Sequence, residues 1–512
     1  MSQDTKHDFG KWRAFFWPVH GYELKKLLPM FLMFFFISFN YTILRDTKDT
    51  LVVTAAGAEA IPFLKTFGVV PAAILFMLIY AKLSNVLSKE NLFYVTLLPF
   101  VIFFGLFGFI MYPSREMLMP TASAEALRAY LPGGWGGLAA AYENWMYSVF
   151  YILAELWGSV VLSLLFWGFA NQITRVGEAK RFYSLFGLGA NVALLVSGPA
   201  IMYVSSIRSR VPVGVDAWQI SLNYLMGMVT IGGILVAAIY WWINRNVLTD
   251  PQFYDPTQEK AKKKKTKMSI TDSIKFIFSS KYLLCLATLV IAYGIAINLV
   301  EVTWKSQLKL QYPNENDYST FMGAFSTVTG FVTILMMLFV GGNLLRKKGW
   351  TFTALVTPIV LLITGVGFFG FVLFRDSLLG YISMLGTTPL FLAVIFGAIQ
   401  NIMSKSAKYS LFDPTKEMAY IPLDDESKVK GKAAVDVVGA RLGKSGGSVI
   451  QMGLLTFGTL ATITPYIGAI LFFIIGAWIV AARTLGRQFN RLTVEKLGTP
   501  AVDQTSETKE AT

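Results

Sequence analysis

The stretch Leu283–Lys305 reads LLCLATLVIAYGIAINLVEVTWK. It runs uncharged through Ile297, and then Asn298, Glu301 and Lys305 follow at helical spacing. About twenty apolar residues rising ~1.5 Å each cross a bilayer core of ~30 Å. The segment therefore reads as a membrane span that keeps polar groups on one face. Similar stretches lie near 24–44, 62–81, 92–112, 144–170, 183–204, 219–243, 282–304, 319–342, 351–374, 381–404, 433–459 and 463–482. Twelve spans use about 240 residues, close to the apolar supply of a 512-residue chain that is 54% hydrophobic. Only 15% of the residues are charged, against roughly 25% in soluble domains. Disorder, collagen, a coiled coil and a secreted disulfide scaffold are excluded. The expected fold is an all-α polytopic membrane protein with twelve transmembrane helices.

The net charge of +14 invites a nucleic-acid reading, which its distribution removes. With the N-terminus inside, about 33 of the 45 Lys and Arg fall in inside segments, the positive-inside pattern. Both termini are then cytoplasmic, and the basicity is topological. The single cysteine, Cys285, and the two histidines, His7 and His20, permit neither an intrachain disulfide nor a Cys/His metal site. No metal and no cofactor is expected. Phe9–Tyr22 (FGKWRAFFWPVHGY) reads as an interfacial helix rather than a cleavable signal. The chain is expected to act as a monomer in the lipid bilayer.

The domain reading is an N-terminal interfacial segment (1–23), a six-helix half (24–243), a basic linker (244–280), a second six-helix half (281–482) and a cytoplasmic tail (483–512). The linker carries KAKKKKTK at Lys260–Lys267, a solvated run beside anionic headgroups. The halves echo one another at an offset of 258, with Asn40 matching Asn298, Phe63 Phe321, Phe67 Phe325 and Val70 Val328. YSLF occurs at Tyr183–Phe186 and at Tyr409–Phe412, each time after a G-x-x-[NQ]-[NQ]-I segment (Gly168–Ile173 and Gly397–Ile402). Two parallel six-helix pseudo-repeats make a major-facilitator-like architecture, with the substrate held near mid-membrane between the halves.

A charge at the bilayer centre costs at least ~2.5–3.5 kcal/mol, so each one inside a span needs a reason. Asn144, Ser148, Tyr151, Glu155, Ser159 and Ser163 fall on one helical face. Asn298, Glu301 and Lys305 form a second stripe, and Ser38, Tyr41, Arg45 and Lys48 a third. Lys65 begins the second span, where snorkelling to the headgroups is an alternative to an inward role. Asp46, Asp49 and Lys48, close to a helix end, are equally explained by helix pairing. Asp436, Arg441 and Lys444 lie among the glycines of the eleventh span. The cations Arg45, Lys48, Lys65, Lys305, Arg441 and Lys444 outnumber the carboxylates, and a cavity built from them attracts an anion such as a polyphosphate. GARLGKS at Gly439–Ser445 is one residue short of a phosphate loop and lacks the strand–loop–helix setting. Its glycines are better explained by close helix packing. No catalytic constellation is present, and enzymatic chemistry is not expected.

Several segments go further. NYTILRDTKDTLVVTA (Asn40–Ala55), IPFLKTF (Ile61–Phe67), AELWGSVVLSLLFWGFANQIT (Ala154–Thr174), NLVEVTWKSQLK (Asn298–Lys309), SKSAKYSLFDPTKEMAYIPLD (Ser404–Asp424) and GKAAVDVVGARLGKSGG (Gly431–Gly447) resemble the ATP/ADP translocase family. These are the nucleotide transporters of obligate intracellular bacteria and plastids, unrelated to the mitochondrial carrier. The resemblance implies exchange of host ATP for ADP by alternating access, with ATP and ADP as partners and phosphate as a possible companion of ADP. The family's alternative is a proton-coupled or broad-specificity nucleotide importer. The resemblance places functionally sensitive charges at Lys65, Glu155, Glu301 and Lys444. Lys65 and Lys444, helped by Arg45, Lys48, Lys305 and Arg441, are then assigned to phosphates. Glu155 and Glu301 hold these cations in the empty site or accept from adenine or ribose. Asn298 and Asn401 are candidates for base or ribose hydrogen bonds. With no transit peptide readable before the first span, the expected location is the bacterial inner membrane.

Overall fold

The computed structural model describes residues 19–212, 214–251, 253, 270–435 and 439–497. Most of the expected interfacial helix, the KAKKKKTK run, Asp436 and the tail beyond 497 lie outside these residues. The described chain is helical almost throughout, because a backbone in hydrocarbon must satisfy its own hydrogen bonds. The long helices are α1 (Leu24–Ala56), α2 (Ala60–Val86), α3 (Lys89–Met111), α4 (Trp145–Ile173), α5 (Val176–Ser205) and α6 (Ala217–Asn246). After the linker come α7 (Lys281–Gln311), α8 (Glu315–Leu335), α9 (Gly342–Leu373), α10 (Pro389–Ala407), α11 (Ala440–Leu455) and α12 (Leu460–Leu497).

Among the described residues, ten helical runs are long and apolar enough to cross a membrane. One of them, Glu315–Leu373, contains both α8 and α9. Gly349, at a φ of 76° that favours glycine, breaks that run after the basic Arg346, Lys347 and Lys348. Helix α11 has 16 residues; of the expected span 433–459, residues 433–435 and 439 ahead of it are also helical, 436–438 lie outside the described residues, and the helix ends at Leu455 rather than 459. With α8 and α9 separated and α11 added, twelve segments result. Side-chain caps set several starts: Ser88 accepts from the Asn91 amide, Asp216 from Gln219, and Thr388 from Phe391.

The packing repeats when six is added to each helix number. Helix α1 packs on α4, α5 and α6, and α7 packs on α10, α11 and α12; α3 lies against α6 as α9 lies against α12. Two symmetry-related seams join the halves, α5 with α8 and α2 with α11, the same shift converting one into the other, and α1 also packs on α8.

The seams differ along their length. The bundle face on which residues 24 and 497 lie is called the terminal face, and the opposite end the far face. The α5–α8 seam runs deep. Ser205 donates to Ser319 at 2.8 Å near the far face, and Asn191 reaches Met337 nearer the terminal face. Between them the backbones nearly touch: a Cβ added at Gly323 would lie 2.8 Å from the Gly198 carbonyl oxygen, and one at Gly330 would lie 3.0 Å from that of Asn191. Such close approach is the use of small residues between membrane helices. The α2–α11 seam is made by Ala60–Val69 at the far end of α2. There the indole of Trp135 donates to Thr456 Oγ1 at 3.1 Å. From Val70 to Val86 no residue of α2 is buried. The halves are thus closed at the far face and part between α2 and α11 toward the terminal face.

Candidate functional site

Where α1, α2, α4 and α7 meet, the charges form one chain. Glu155 Oε1 pairs with Lys48 Nζ at 3.0 Å, and the same ammonium pairs with Asp49 Oδ1 at 2.7 Å. Asp49 Oδ2 then takes Lys305 at 2.8 Å, and Lys305 takes Glu301 Oε1 at 2.9 Å. Glu301 Oε2 lies 3.4 Å from Lys65, which donates to Asn298 Oδ1 at 2.5 Å. The chain crosses from the first half to the second at Asp49–Lys305 and again at Lys65–Glu301.

Its middle is sealed and its ends are not. The side chains of Lys48, Asp49 and Lys305 are 3%, 2% and 1% exposed, whereas Glu155, Glu301 and Lys65 are 29%, 21% and 18% exposed. Lys48 also sits 4.0 Å from the ring centroid of Tyr151, a cation–π contact that strengthens where water is excluded. Beside the chain, Arg45 Nε binds Asp46 at 3.1 Å and its Nη2 binds Ser326 at 2.8 Å, while Ser326 donates to Asp46 Oδ2 at 2.5 Å. Every carboxylate in this set has a cation, as charges in a low-dielectric interior require.

Local sequence explains how each group is delivered. Glu301 and Lys305 are one helical turn apart on α7. On α4 the polar stripe opens toward the terminal face, from buried Tyr151 through half-buried Glu155 to exposed Ser159 and Ser163. Its hydroxyls are satisfied locally, Ser159 by the Leu156 carbonyl and Ser163 by that of Gly158. Lys65 sits in a widened π-type turn, Leu64–Val69, a distortion that recurs at functional sites. It points inward to Glu301 and Asn298, so the snorkelling alternative does not hold.

Of the residues expected from sequence, Lys65, Glu155, Glu301, Arg45, Lys48, Asn298 and Lys305 are brought together. Asn401 is not among them. It is buried, donates to the Gly397 carbonyl at 2.9 Å, and lines a small cavity with Leu361, Gln400 and Ser404. The side chains of Arg441 and Lys444 lie outside the described part of the structure. Their backbone belongs to α11, where Gly443 packs on Gly294 and Gly447 meets Asn298, so the glycines of GARLGKS act in helix packing. Sequence reasoning passed over two features. Asp46 and Asp49, near a helix end, read in sequence as pairing residues no less than as site residues, yet Asp49 bridges Lys48 and Lys305. Lys405 falls by sequence position among the basic residues at the inner end of a span, yet it lies over the Phe325 ring at 4.8 Å. Its position four residues after Asn401 was the signal available.

The model of the TLC ATP/ADP transporter family matches residues 2–489. ADP,ATP carrier protein 1 of Chlamydia trachomatis is 61% identical over 96% of this chain and 93% of its own length. ADP,ATP carrier protein 2, chloroplastic, of Arabidopsis thaliana is 56% identical over 92% of this chain and 76% of its own length. ADP,ATP carrier protein 1 of Rickettsia prowazekii is 45% identical over 94% and 96%. Among solved structures, a D-xylose-proton symporter superposes with a TM-score of 0.53 at 12% identity, covering 91% of this chain and 97% of its own. A bacterial homologue of the iron transporter ferroportin gives 0.53 at 11% identity, covering 92% and 99%. These two carry the fold alone, which is major-facilitator-like. The sequence relatives carry more, and the chain belongs to the TLC ATP/ADP transporter family.

Proposed function

We propose that this protein is a membrane antiporter that exchanges ATP for ADP by alternating access, importing host ATP into a bacterium. The observation that carries the reading is the ion chain between the halves, buried in its middle and open at Glu155, Glu301 and Lys65. In the empty site each cation of the chain is held by a carboxylate. An arriving nucleotide supplies phosphate oxygens to Lys65 and Lys444, with Arg45, Lys48, Lys305 and Arg441 near, and frees Glu301 and Glu155 from part of that duty. Asn298, which accepts from Lys65, is released toward base or ribose at the same moment. Because the chain bridges the halves, exchanging its partners changes what ties one half to the other. Return of an empty carrier would bury unbalanced cations, so return requires a nucleotide.

With both termini in the cytoplasm, as the positive-inside pattern indicates, the parting of α2 from α11 opens to the cytoplasm and the far face is the sealed outer side. The bilayer is then the bacterial inner membrane. Purified protein in vesicles tests the reading. Uptake of labelled ATP is expected to require internal ADP or ATP and to ignore a proton uncoupler. Uptake into empty vesicles driven by external acid would instead identify an importer, and phosphate released from ATP would identify an enzyme. ATP carries about one more negative charge than ADP, and a potential acts on it with ~2.3 kcal/mol per charge per 100 mV. Exchange that ignores an imposed potential would show that a compensating ion moves with one nucleotide, and labelled phosphate leaving with ADP would identify it as phosphate monoanion.

A further inference from the structure

Five described cations stand in the site against four carboxylates: Arg45, Lys48, Lys65, Lys305 and Lys405 against Asp46, Asp49, Glu155 and Glu301. Four of the cations have carboxylate partners. Lys405 has no ion pair and no hydrogen bond among the described residues. Its ammonium lies 4.8 Å from the Phe325 ring centroid and within electrostatic reach of Arg45, Asp46, Glu301 and Lys305. A lysine left without a carboxylate inside a membrane protein is expensive, and the ring face offsets only part of that cost.

The placement of Lys405 is specific. Trp304 donates to the Val394 carbonyl at 2.9 Å, which levels Val394 of α10 with the residue preceding Lys305. Lys405 follows eleven residues later, ~16 Å along the helix toward the terminal face. Helical side chains lean toward their own N-terminus, here the far face, so this lysine reaches back toward the ion chain from the open side. Arg45 approaches the same place from α1: its Nη2 holds Ser326, the neighbour of Phe325, while its Nη1 has no partner among the described residues. Two cations from opposite halves thus converge on consecutive residues of α8.

We propose that Lys405 is a substrate-binding residue that pairs with Arg45 to clamp the polyphosphate, one jaw from each half, on the terminal-face side of the ion chain. This rests on the antiport reading for its substrate and assigns the residue that meets the phosphates entering from the open side. Arg45 supplies a planar fork with an unused nitrogen, and Lys405 supplies a mobile point charge. An anion between them ties the halves together below the closed far face.

Full-length protein in detergent or nanodiscs tests this with tripolyphosphate as probe beside ATP, read by calorimetry. Lys405→Gln is expected to weaken both ligands about ten- to a hundredfold, the usual cost of losing a charged hydrogen bond. Lys405→Arg is expected to keep affinity within about threefold, because the charge remains. Since Lys405 has no described carboxylate partner, Lys405→Gln should leave thermal stability without ligand unchanged or raised. Lysine acting only in packing would show the reverse, lower stability with affinity within about twofold of wild type, and that result overturns the proposal. Failure of the antiport reading is separable. Wild-type vesicles that exchange nothing while tripolyphosphate binding still depends on Lys405 would sink the exchange and keep the clamp. Wild-type protein that binds no tripolyphosphate would overturn the clamp itself.

Discussion

The α5–α8 and α2–α11 seams occupy equivalent places in the two halves, yet they are built from different materials. Glycines bring α5 and α8 into backbone contact, with Gly198 against Gly323 and Gly330 against Asn191. The other seam meets only at its far end, through Trp135 and Thr456 and the first turns of α2. Beside it lies Lys65, which reaches across to Glu301. Dispersion between small residues is short-ranged and changes little with what a nearby cavity contains. Charge pairs depend on which anion is present. The glycine seam is therefore suited to serve as the fixed pivot of this state, and the charged region as the part that responds to substrate.

The largest effect is expected where the charged region is most buried. Asp49 binds Lys48 and Lys305 at once, and Asp49→Asn strands both beside one carboxylate each. Breaking a buried pair costs ~3–5 kcal/mol. The low end is expected, because Glu155 and Glu301 still serve the two lysines. Thermal unfolding in detergent should show the loss, and exchange in vesicles should fall with it. A variant as stable as wild type would mean that Asp49 does not hold the halves.

Next come two substitutions with opposite signs. Lys65→Gln should weaken ATP and ADP about ten- to a hundredfold, for a lost charged hydrogen bond of ~1.5–3 kcal/mol. Glu301→Gln removes the carboxylate that Lys65 and Lys305 share and leaves positive charge in surplus. Nucleotide should then bind as tightly as before or more tightly, while exchange slows because release is harder. Calorimetry on both variants separates the roles. A large loss of ATP affinity in Glu301→Gln, with the preference for adenine relaxed, would assign that carboxylate to the base instead.

The glycine seam offers the contrasting test. A Cβ at Gly198 would come within 2.6 Å of the Gly323 carbonyl oxygen, so Gly198→Ala must push α5 from α8. Overpacking of this kind costs ~1–3 kcal/mol. Nucleotide affinity measured in the terminal-face-open state should be unchanged, and stability and turnover should fall. If affinity falls as it does in Lys65→Gln, the seam is part of the binding site and not a pivot.

Much of this was legible in sequence, for physical reasons that differ from residue to residue. Glu301 and Lys305 could be paired on paper because one helical turn separates them, and Glu155 stood out as a carboxylate in an apolar span. The six-helix repeat could be read from matches such as Asn40 with Asn298, which sit on the equivalent helices α1 and α7. Lys65 with Glu301 could not be paired, since their 236-residue separation is closed only by the packing of α2 against the second half. Lys405 was hidden by a rule that works on average. Basic residues near the inner end of a span are usually topological, and only the fold shows this one leaning back toward Phe325. Asn401 could not be placed from its own helix, because a polar residue on an apolar helix can line a separate small cavity as readily as the one that holds the ion chain. The eleventh span is overlong in composition at its end, where the helix stops at Leu455, because hydropathy does not register where a helix ends.

The smallest effect is expected at the far end of the charged seam. Trp135 donates its indole hydrogen to Thr456 Oγ1 at 3.1 Å, and Gly134 packs beside the Leu455 carbonyl. Thr456→Val keeps the shape and removes the acceptor. A neutral hydrogen bond contributes ~0.5–1.5 kcal/mol, and the site is partly exposed, so water can replace the acceptor and the loss should be near the lower figure. Global stability should barely move. The balance between states should move, because this contact exists only when the far face is closed: ~0.5–1 kcal/mol alters the ratio of closed to open far faces about two- to fivefold. Fluorescence from a dye on an introduced cysteine at Tyr130, with Cys285 replaced by Ala, would report the shift toward the open far face in the absence of nucleotide. The same substitution should leave tripolyphosphate contacts untouched and change its apparent affinity only through that population. An unchanged dye signal would mean that the far face is held shut by the ion chain alone, with Trp135 a passenger on a gate closed by Asp49 and Lys305.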